Sequence, residues 1–70
     1  MKKTLKIKGM TCNHCKMTVE KALKAVPGVE NAEVDLAAET CCVTLSEPVD
    51  DDILAEAVVR VGYEYGGIEG

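Results

Sequence analysis

Two cysteines near the N-terminus form the group with the clearest chemistry. The stretch GMTCNHCKM, residues 9–17, places Cys12 and Cys15 three positions apart with His14 between them. Two thiols at this spacing can form a redox pair, half of a structural zinc site, or a site for a soft metal ion. The rest of the chain has to distinguish these three chemistries.

A structural zinc site would need two further ligands. The two remaining cysteines are the neighbours Cys41 and Cys42, which do not repeat the Cys-x-x-Cys spacing. His14 lies inside the same short loop as the first pair and is badly placed to close a tetrahedron. The pattern therefore disfavours closed zinc coordination, although Zn(II) stays an alternative ion.

The composition is typical of a small folded domain. The 70 residues include 47% hydrophobic residues, 29% charged residues and only two aromatic residues, both tyrosines. We expect a single domain over residues 1–70, of which folding buries only about 60% of the surface. The net charge of −4 argues against binding to a phosphate backbone, so no nucleic-acid partner is expected.

The N-terminal stretch MKKTLKIKG has no apolar run long enough for a signal peptide or a membrane span. We therefore expect a cytoplasmic protein that does not insert into membranes. In that compartment the four cysteines would be reduced thiols rather than disulfides.

Hydrophobic periodicity predicts six elements. Period-two alternation predicts strands in TLKIKG, VENAEVDL, TCCVTL and YEYGGIEG, the last with Tyr63 first. Period 3.6 predicts one helix from Cys15 to Pro27-Gly28 and another from the acidic cluster at Asp50 to Gly62. The helices bury two predicted stripes: Cys15, Val19, Ala22, Leu23 and Val26 in the first, and Leu54, Ala57, Val58 and Val61 in the second. Lys16, Glu20, Lys21 and Lys24 are expected on the solvent face of the first helix.

This order predicts an α+β, ferredoxin-like βαββαβ fold, with a four-stranded antiparallel sheet and both helices on one face. The cysteine pair then lies where the first strand meets the first helix. Unsatisfied N–H groups and the helix dipole favour thiolate there, and two soft anionic ligands suit Cu(I).

Four features together carry a resemblance to a known family: GMTCNHC after a strand, a helix beginning at the second cysteine, VPGVENAEVDL, and AVVRVGYEY. The chain resembles the heavy-metal-associated domain over essentially its whole length, in particular bacterial copper chaperones of the CopZ type. Gly9, Met10, Thr11, Cys12 and Cys15 match the metal-binding motif of that family. The pair Cys41-Cys42 departs from its pattern.

The resemblance implies a Cu(I) chaperone rather than an enzyme. Cys12 and Cys15 would hold the ion and pass it to the metal-binding domain of a P-type ATPase. The apo protein would be a monomer that metal could link into a dimer. Relatives that handle zinc, cadmium or lead tend to have an acidic residue where this chain has Thr11.

The resemblance also gives roles to residues near the cysteines. Met10 would plug the space under the loop, and Tyr63 would shield the sulfurs and hydrogen-bond a thiolate. His14 would point to solvent and join as a ligand only on occasion, as in a dimer. No role follows for Met17. The basic strip Lys16, Lys21 and Lys24 is either a solvated face or a docking patch for an acidic partner.

Three alternatives share parts of this pattern. A thioredoxin-like oxidoreductase has the same motif but needs a longer chain with parallel crossovers. A Hg(II) carrier has the same fold and motif, but a periplasmic carrier would be secreted. A domain of a P-type ATPase is also similar, and here the Met1 start and the end just after the last strand favour a free chaperone.

Strand parity separates the two remaining thiols. Cys41 should face the helices beneath the metal loop, as a small buried filler, while Cys42 should lie on the open face and react more readily. We therefore expect no second chelate from this pair, although either thiol could be a reserve ligand.

Overall fold

Two β-α-β units in succession build the fold. The computed structural model describes residues 1–69, and the chain orders its elements as β1 (Lys2–Lys8), α1 (Asn13–Lys24), β2 (Val29–Asp35), β3 (Thr40–Leu45), α2 (Asp51–Arg60) and β4 (Glu64–Glu69). The strands form one sheet in the order β2-β3-β1-β4, and each neighbouring pair is antiparallel. The predicted ferredoxin-like fold is confirmed.

One face of the sheet forms the core together with the two helices. Leu5 and Ile7 of β1 are fully buried, while the intervening Lys6 is exposed, as period-two alternation requires. The helices contribute their apolar stripes to the same core, with Val19 and Leu23 from α1 and Leu54 and Val58 from α2. Within residues 1–69 neither helix is long and apolar enough to cross a membrane.

Two elements begin at residues other than those that the sequence predicted. Helix α1 begins at Asn13 rather than at Cys15, because Cys12 is the extended N-cap residue and its carbonyl oxygen accepts the Lys16 N–H at 3.1 Å. Strand β4 begins at Glu64, so Tyr63 lies in the connection before the strand. Asp50 is the N-cap of α2, but its side chain makes no capping hydrogen bond.

The solvent face predicted for α1 is also partly wrong. The Glu20 carboxylate points to the edge strand β2 and accepts the Val34 N–H at 2.9 Å. Lys16 is half-buried near the end of the same strand. Both side chains therefore lie beside the sheet edge, where Glu20 covers a backbone N–H that the edge strand would otherwise expose.

Candidate metal centre

The loop between β1 and α1 is fixed by Gly9, which lies against Tyr63, and by Met10, which is buried in the core. Gly9 has φ +96°, a left-handed conformation that turns the chain out of the strand, and a Cβ there would lie 3.6 Å from Cδ1 of Tyr63. Met10 then turns inward and is only 5% exposed. Its side chain therefore anchors the loop to the core, as expected for a plug, while Thr11 and Cys12 stay exposed.

The two thiols meet at the N-terminus of α1. Cys12 is the N-cap residue, Cys15 is the third residue of the helix, and their Sγ atoms are 3.4 Å apart. No side chain caps this helix, and its first turn contains no acidic residue. The partial positive charge of the helix N-terminus is therefore left to the two sulfurs, where it favours thiolate.

The surroundings of Cys15 make its thiol acidic. A hydrogen bond with the Tyr63 side chain is the main cause that lowers the pKa of Cys15 from 9.0 to about 6, with the Thr11 backbone and Cys12 adding smaller effects against the opposing effect of burial. The same bond raises the pKa of Tyr63. Cys15 is therefore mostly a thiolate at neutral pH, and a thiolate is the form that binds metal.

The end of α2 places Tyr63 over the loop. The Gly62 N–H donates to the Val59 carbonyl at 2.9 Å, and the Tyr63 N–H donates to the Val58 carbonyl at 3.3 Å. This pair of bonds is the Schellman motif, and Gly62 takes the left-handed φ of +91° that the motif requires. The end of α2 thus also places Tyr63 beside the sulfurs, although Tyr63 and Cys15 are 48 positions apart in the chain.

The pair offers two soft ligands and no more. Across residues 1–69, no three or more His, Cys, Asp or Glu side chains come together as a potential metal site. A structural zinc ion, which is usually held by four protein ligands, therefore lacks half of its coordination in one molecule.

The sulfur separation indicates what metal binding would change. With metal–sulfur bonds of about 2.3 Å, two sulfurs on opposite sides of one ion lie about 4.6 Å apart. The present 3.4 Å is about 1.2 Å shorter than that span. Cys12 is exposed, so rotation of its side chain can open the pair without disturbing the core.

The other predicted site residues lie around this pair at different distances from it. His14 is exposed, and its carbonyl oxygen accepts the Thr18 hydroxyl at 2.9 Å. Lys21 and Lys24 are exposed beside the same depression on α1, whereas Lys16 borders a separate hollow at the end of β2. The three lysines therefore do not form the continuous strip that the sequence predicted.

Cys41 and Cys42 point to opposite faces of the sheet. Cys41 is fully buried, and burial raises the pKa of its thiol to about 12, with the Glu20 charge adding to the effect. It pairs with Leu5 of β1 and with Val34 of β2, the residue whose N–H donates to Glu20 of α1. Cys42 is half-buried on the open face, between Thr4 and Glu33.

Two features of the site have no local signal in the sequence. Nothing near Cys12 marks it as the helix N-cap, because cysteine is not among the residues that favour this position. The contact of Glu20 with Val34 joins residues fourteen positions apart, so only the folded chain reveals it.

Comparison with known proteins relates this arrangement to metal handling. The heavy-metal-associated domain family matches residues 4–64. Copper-transporting ATPase 2 of Rhizobium meliloti is 54% identical over 61 residues, which are 86% of this chain but 7% of that protein. Mercuric reductase of Shigella flexneri is 42% identical over 60 residues, 86% of this chain and 11% of that enzyme.

Two further proteins match along their whole length. The COP-associated protein of Helicobacter felis is 38% identical over 66 residues, covering 94% of this chain and 100% of that protein. The solved structure of a CopZ metallochaperone superposes with a TM-score of 0.89 at 31% identity, covering 94% of this chain and 100% of that one.

Proposed function

The chain belongs to the heavy-metal-associated domain family, and we propose that it is a cytoplasmic carrier that binds one Cu(I) ion through Cys12 and Cys15 and transfers it to a partner protein. The observation that carries this proposal is the exposed pair of sulfurs, 3.4 Å apart, with no third ligand among the described residues. Such a site binds a soft ion and leaves one side of it open.

The ligand chemistry favours copper in its reduced state. Thiolates select soft ions such as Cu(I), which also tolerates coordination by two ligands. Cys15, with a pKa of about 6, supplies a thiolate at neutral pH, and metal binding requires both sulfurs in the thiolate form. Within residues 1–69 no carboxylate side chain joins the two sulfurs as a third ligand for a harder ion, and Thr11 adds no charge beside them.

Transfer would proceed by exchange of ligands. A thiolate of the partner adds to the open side of the Cu(I) ion, which becomes three-coordinate, and the bond to Cys12 or Cys15 then breaks. A second exchange completes the transfer, and the copper stays Cu(I) throughout. The steps parallel thiol–disulfide exchange, in which a mixed intermediate is also formed and resolved.

Tyr63 would control how easily the ion leaves. Its hydrogen bond to Cys15 stabilises the thiolate, and its ring covers Gly9 on one side of the loop. Both effects hold the bound ion and limit the approach of competitors. We expect Tyr63→Ala to speed the release of copper to a chelator or to increase metal-linked dimerisation.

The proposed partner is the metal-binding domain of a copper-exporting P-type ATPase. The relative from Rhizobium meliloti is a copper-transporting ATPase that contains a region similar to this chain. Lys21 and Lys24 lie on the exposed surface of α1, the helix whose first turn carries the site, and could meet an acidic partner surface. Two copies could also share one ion through their open sites, with His14 as an added ligand, so metal-linked dimers are expected at high protein concentration.

A competition experiment tests the metal assignment. The reduced protein is titrated with Cu(I), Zn(II) and Hg(II) against chelators of known affinity. We expect one tight equivalent of Cu(I), lost in Cys12→Ser and in Cys15→Ser, and kept in the matched control Cys42→Ser. Tight one-to-one Cu(I) binding by a variant that lacks both Cys12 and Cys15 would rule out this site.

Hg(II) is the second candidate cargo, because the similar region of a mercuric reductase offers a specific precedent. Two thiolates also suit Hg(II), so affinity for mercury alone does not separate the two functions. The deciding measurement is transfer: a carrier of copper delivers Cu(I) to a Cys-x-x-Cys domain of a copper ATPase faster than to a small chelator of equal affinity. Equal rates would favour a detoxifying Hg(II) binder.

A further inference from the structure

The outer face of α1 carries two more potential ligands for a soft ion. His14 and Met17 both border one open depression, next to the cysteine pair in sequence. The Met17 side chain is 66% exposed, and His14 is exposed as well. Neither side chain contributes to the core.

The helix brings these two side chains together. Residues three apart lie on the same helix face, with Cβ atoms about 5–6 Å apart. Side chains in a helix lean toward its N-terminus, so Met17 reaches back over the turn that carries His14. A thioether sulfur and an imidazole nitrogen at this separation can approach one ion from two sides.

The charges around the depression select the kind of ion. Lys21 and Lys24 line its far end, and the carboxylate of Glu20 is engaged with the Val34 N–H. A hard divalent cation would thus meet two positive charges and a single carboxylate, one oxygen of which already accepts the Val34 N–H. A soft monovalent ion is held by its bonds to sulfur and nitrogen, which depend less on net charge.

We propose that His14 and Met17 form a second, weaker site for a soft monovalent ion, separate from the site at Cys12 and Cys15. This goes beyond the proposed function, because it assigns the helix surface its own ligands. An ion at this second site would lie close to the open side of the cysteine pair, from which it could enter the tighter site.

Silver(I) titration followed by NMR tests the proposal. Ag(I) is a soft monovalent ion without redox chemistry, and the Cys42→Ser variant removes the exposed competing thiol on the sheet. The first equivalent should shift the amides of Cys12 and Cys15, and the second should shift the Met17 methyl group and the His14 ring together. Met1 is an internal reference, because its side chain is 65% exposed but has no histidine one turn away.

Two substitutions decide the outcome. His14→Gln should raise the Ag(I) concentration needed to shift the Met17 methyl by about tenfold, and Met17→Leu should do the same for the His14 ring. Met1→Leu should change neither response. If Met1 and Met17 respond at the same Ag(I) concentration, or if His14→Gln leaves the Met17 response unchanged, the site does not exist. If the first equivalent of Ag(I) does not shift the amides of Cys12 and Cys15, that result counts against the proposed function instead. The second site is tested separately, by the responses of the His14→Gln and Met17→Leu variants.

Discussion

Removal of the Tyr63 hydroxyl group should measurably weaken the acidity of the Cys15 thiol. Tyr63→Phe keeps the ring over Gly9 but deletes the hydrogen bond to Cys15. Because that bond stabilises the thiolate, its loss raises the pKa of Cys15. The fold should be unaffected, since Tyr63 lies at the surface and its backbone bond to Val58 is kept.

The expected size follows from the surroundings of Cys15. Four hydrogen-bonding contributions, of which Tyr63 makes the largest, outweigh burial and lower the pKa from 9.0 to about 6. The largest of the four supplies at least a quarter of this fall, so Tyr63→Phe should raise the pKa by at least roughly 0.7. At pH 7 the thiolate fraction of Cys15 would then fall from about 90% to about two-thirds or less.

NMR titration of protein labelled at the cysteine Cβ carbons measures this directly, because each thiol gives its own signal. The reduced apo protein is titrated across the range from pH 4 to pH 10 that contains both values. Tyr65→Phe is the matched control, because Tyr65 is the other tyrosine and does not contribute to the pKa of Cys15. If Tyr63→Phe and Tyr65→Phe give the same Cys15 titration, the hydroxyl does not act on the thiol and the reasoning fails.

Three further predictions concern the parts that support the site. Gly62→Ala should destabilise the protein by about 1–2 kcal/mol in a chemical denaturation experiment, because φ is +91° there while no atom lies close enough to clash; unchanged stability would mean that the helix end can relax. Alkylation of the Cu(I)-loaded reduced protein, followed by mass spectrometry, should label Cys42 first, spare Cys12 and Cys15, and reach Cys41 only on unfolding, since Cys41 is fully buried with a pKa of about 12. Early labelling of Cys41 would show that the core opens. Cys41→Ala should lower stability without changing Cu(I) affinity, as expected for a filler under α1; a several-fold weaker affinity would make Cys41 a third ligand.

The sequence predicted the elements well because their signals are local. Alternation of burial identified β3 with its observed ends, Thr40 and Leu45, and it separated Cys41 from Cys42. Gly62 was identified as the stop of α2, because a glycine after an apolar stripe is a strong helix-ending signal. The start of α1 was misplaced by two residues, because the cap at Cys12 depends on backbone geometry that its residue type does not favour.

The predicted solvent face of α1 is the place where hydrophobic periodicity was not sufficient. Periodicity grouped Lys16 with Lys21 and Lys24 as solvent-facing residues, and it placed Glu20 with them. In the folded chain, Lys16 and Glu20 lie over the edge of β2 instead, since a long polar side chain at the margin of the buried stripe can reach backbone groups of a neighbouring strand. A period of 3.6 predicts the direction in which a side chain leaves the helix. It does not predict which backbone groups of the sheet lie within reach of that side chain.

The sequence by itself identified the candidate ligands, the order of the elements and the junction at which those candidates lie. Motif spacing and hydrophobic period are properties of neighbouring residues, so they survive without any tertiary contact. The tertiary structure set the largest part of the acidity of Cys15, beyond the effect of the helix N-terminus that the sequence already predicted. Cys15 becomes a strong acid for a thiol because the end of α2, far along the chain, presents the Tyr63 hydroxyl to its sulfur. That contact exists only after the sheet and both helices have packed, because a hydrogen bond requires its two atoms to be held within about 3–4 Å of each other.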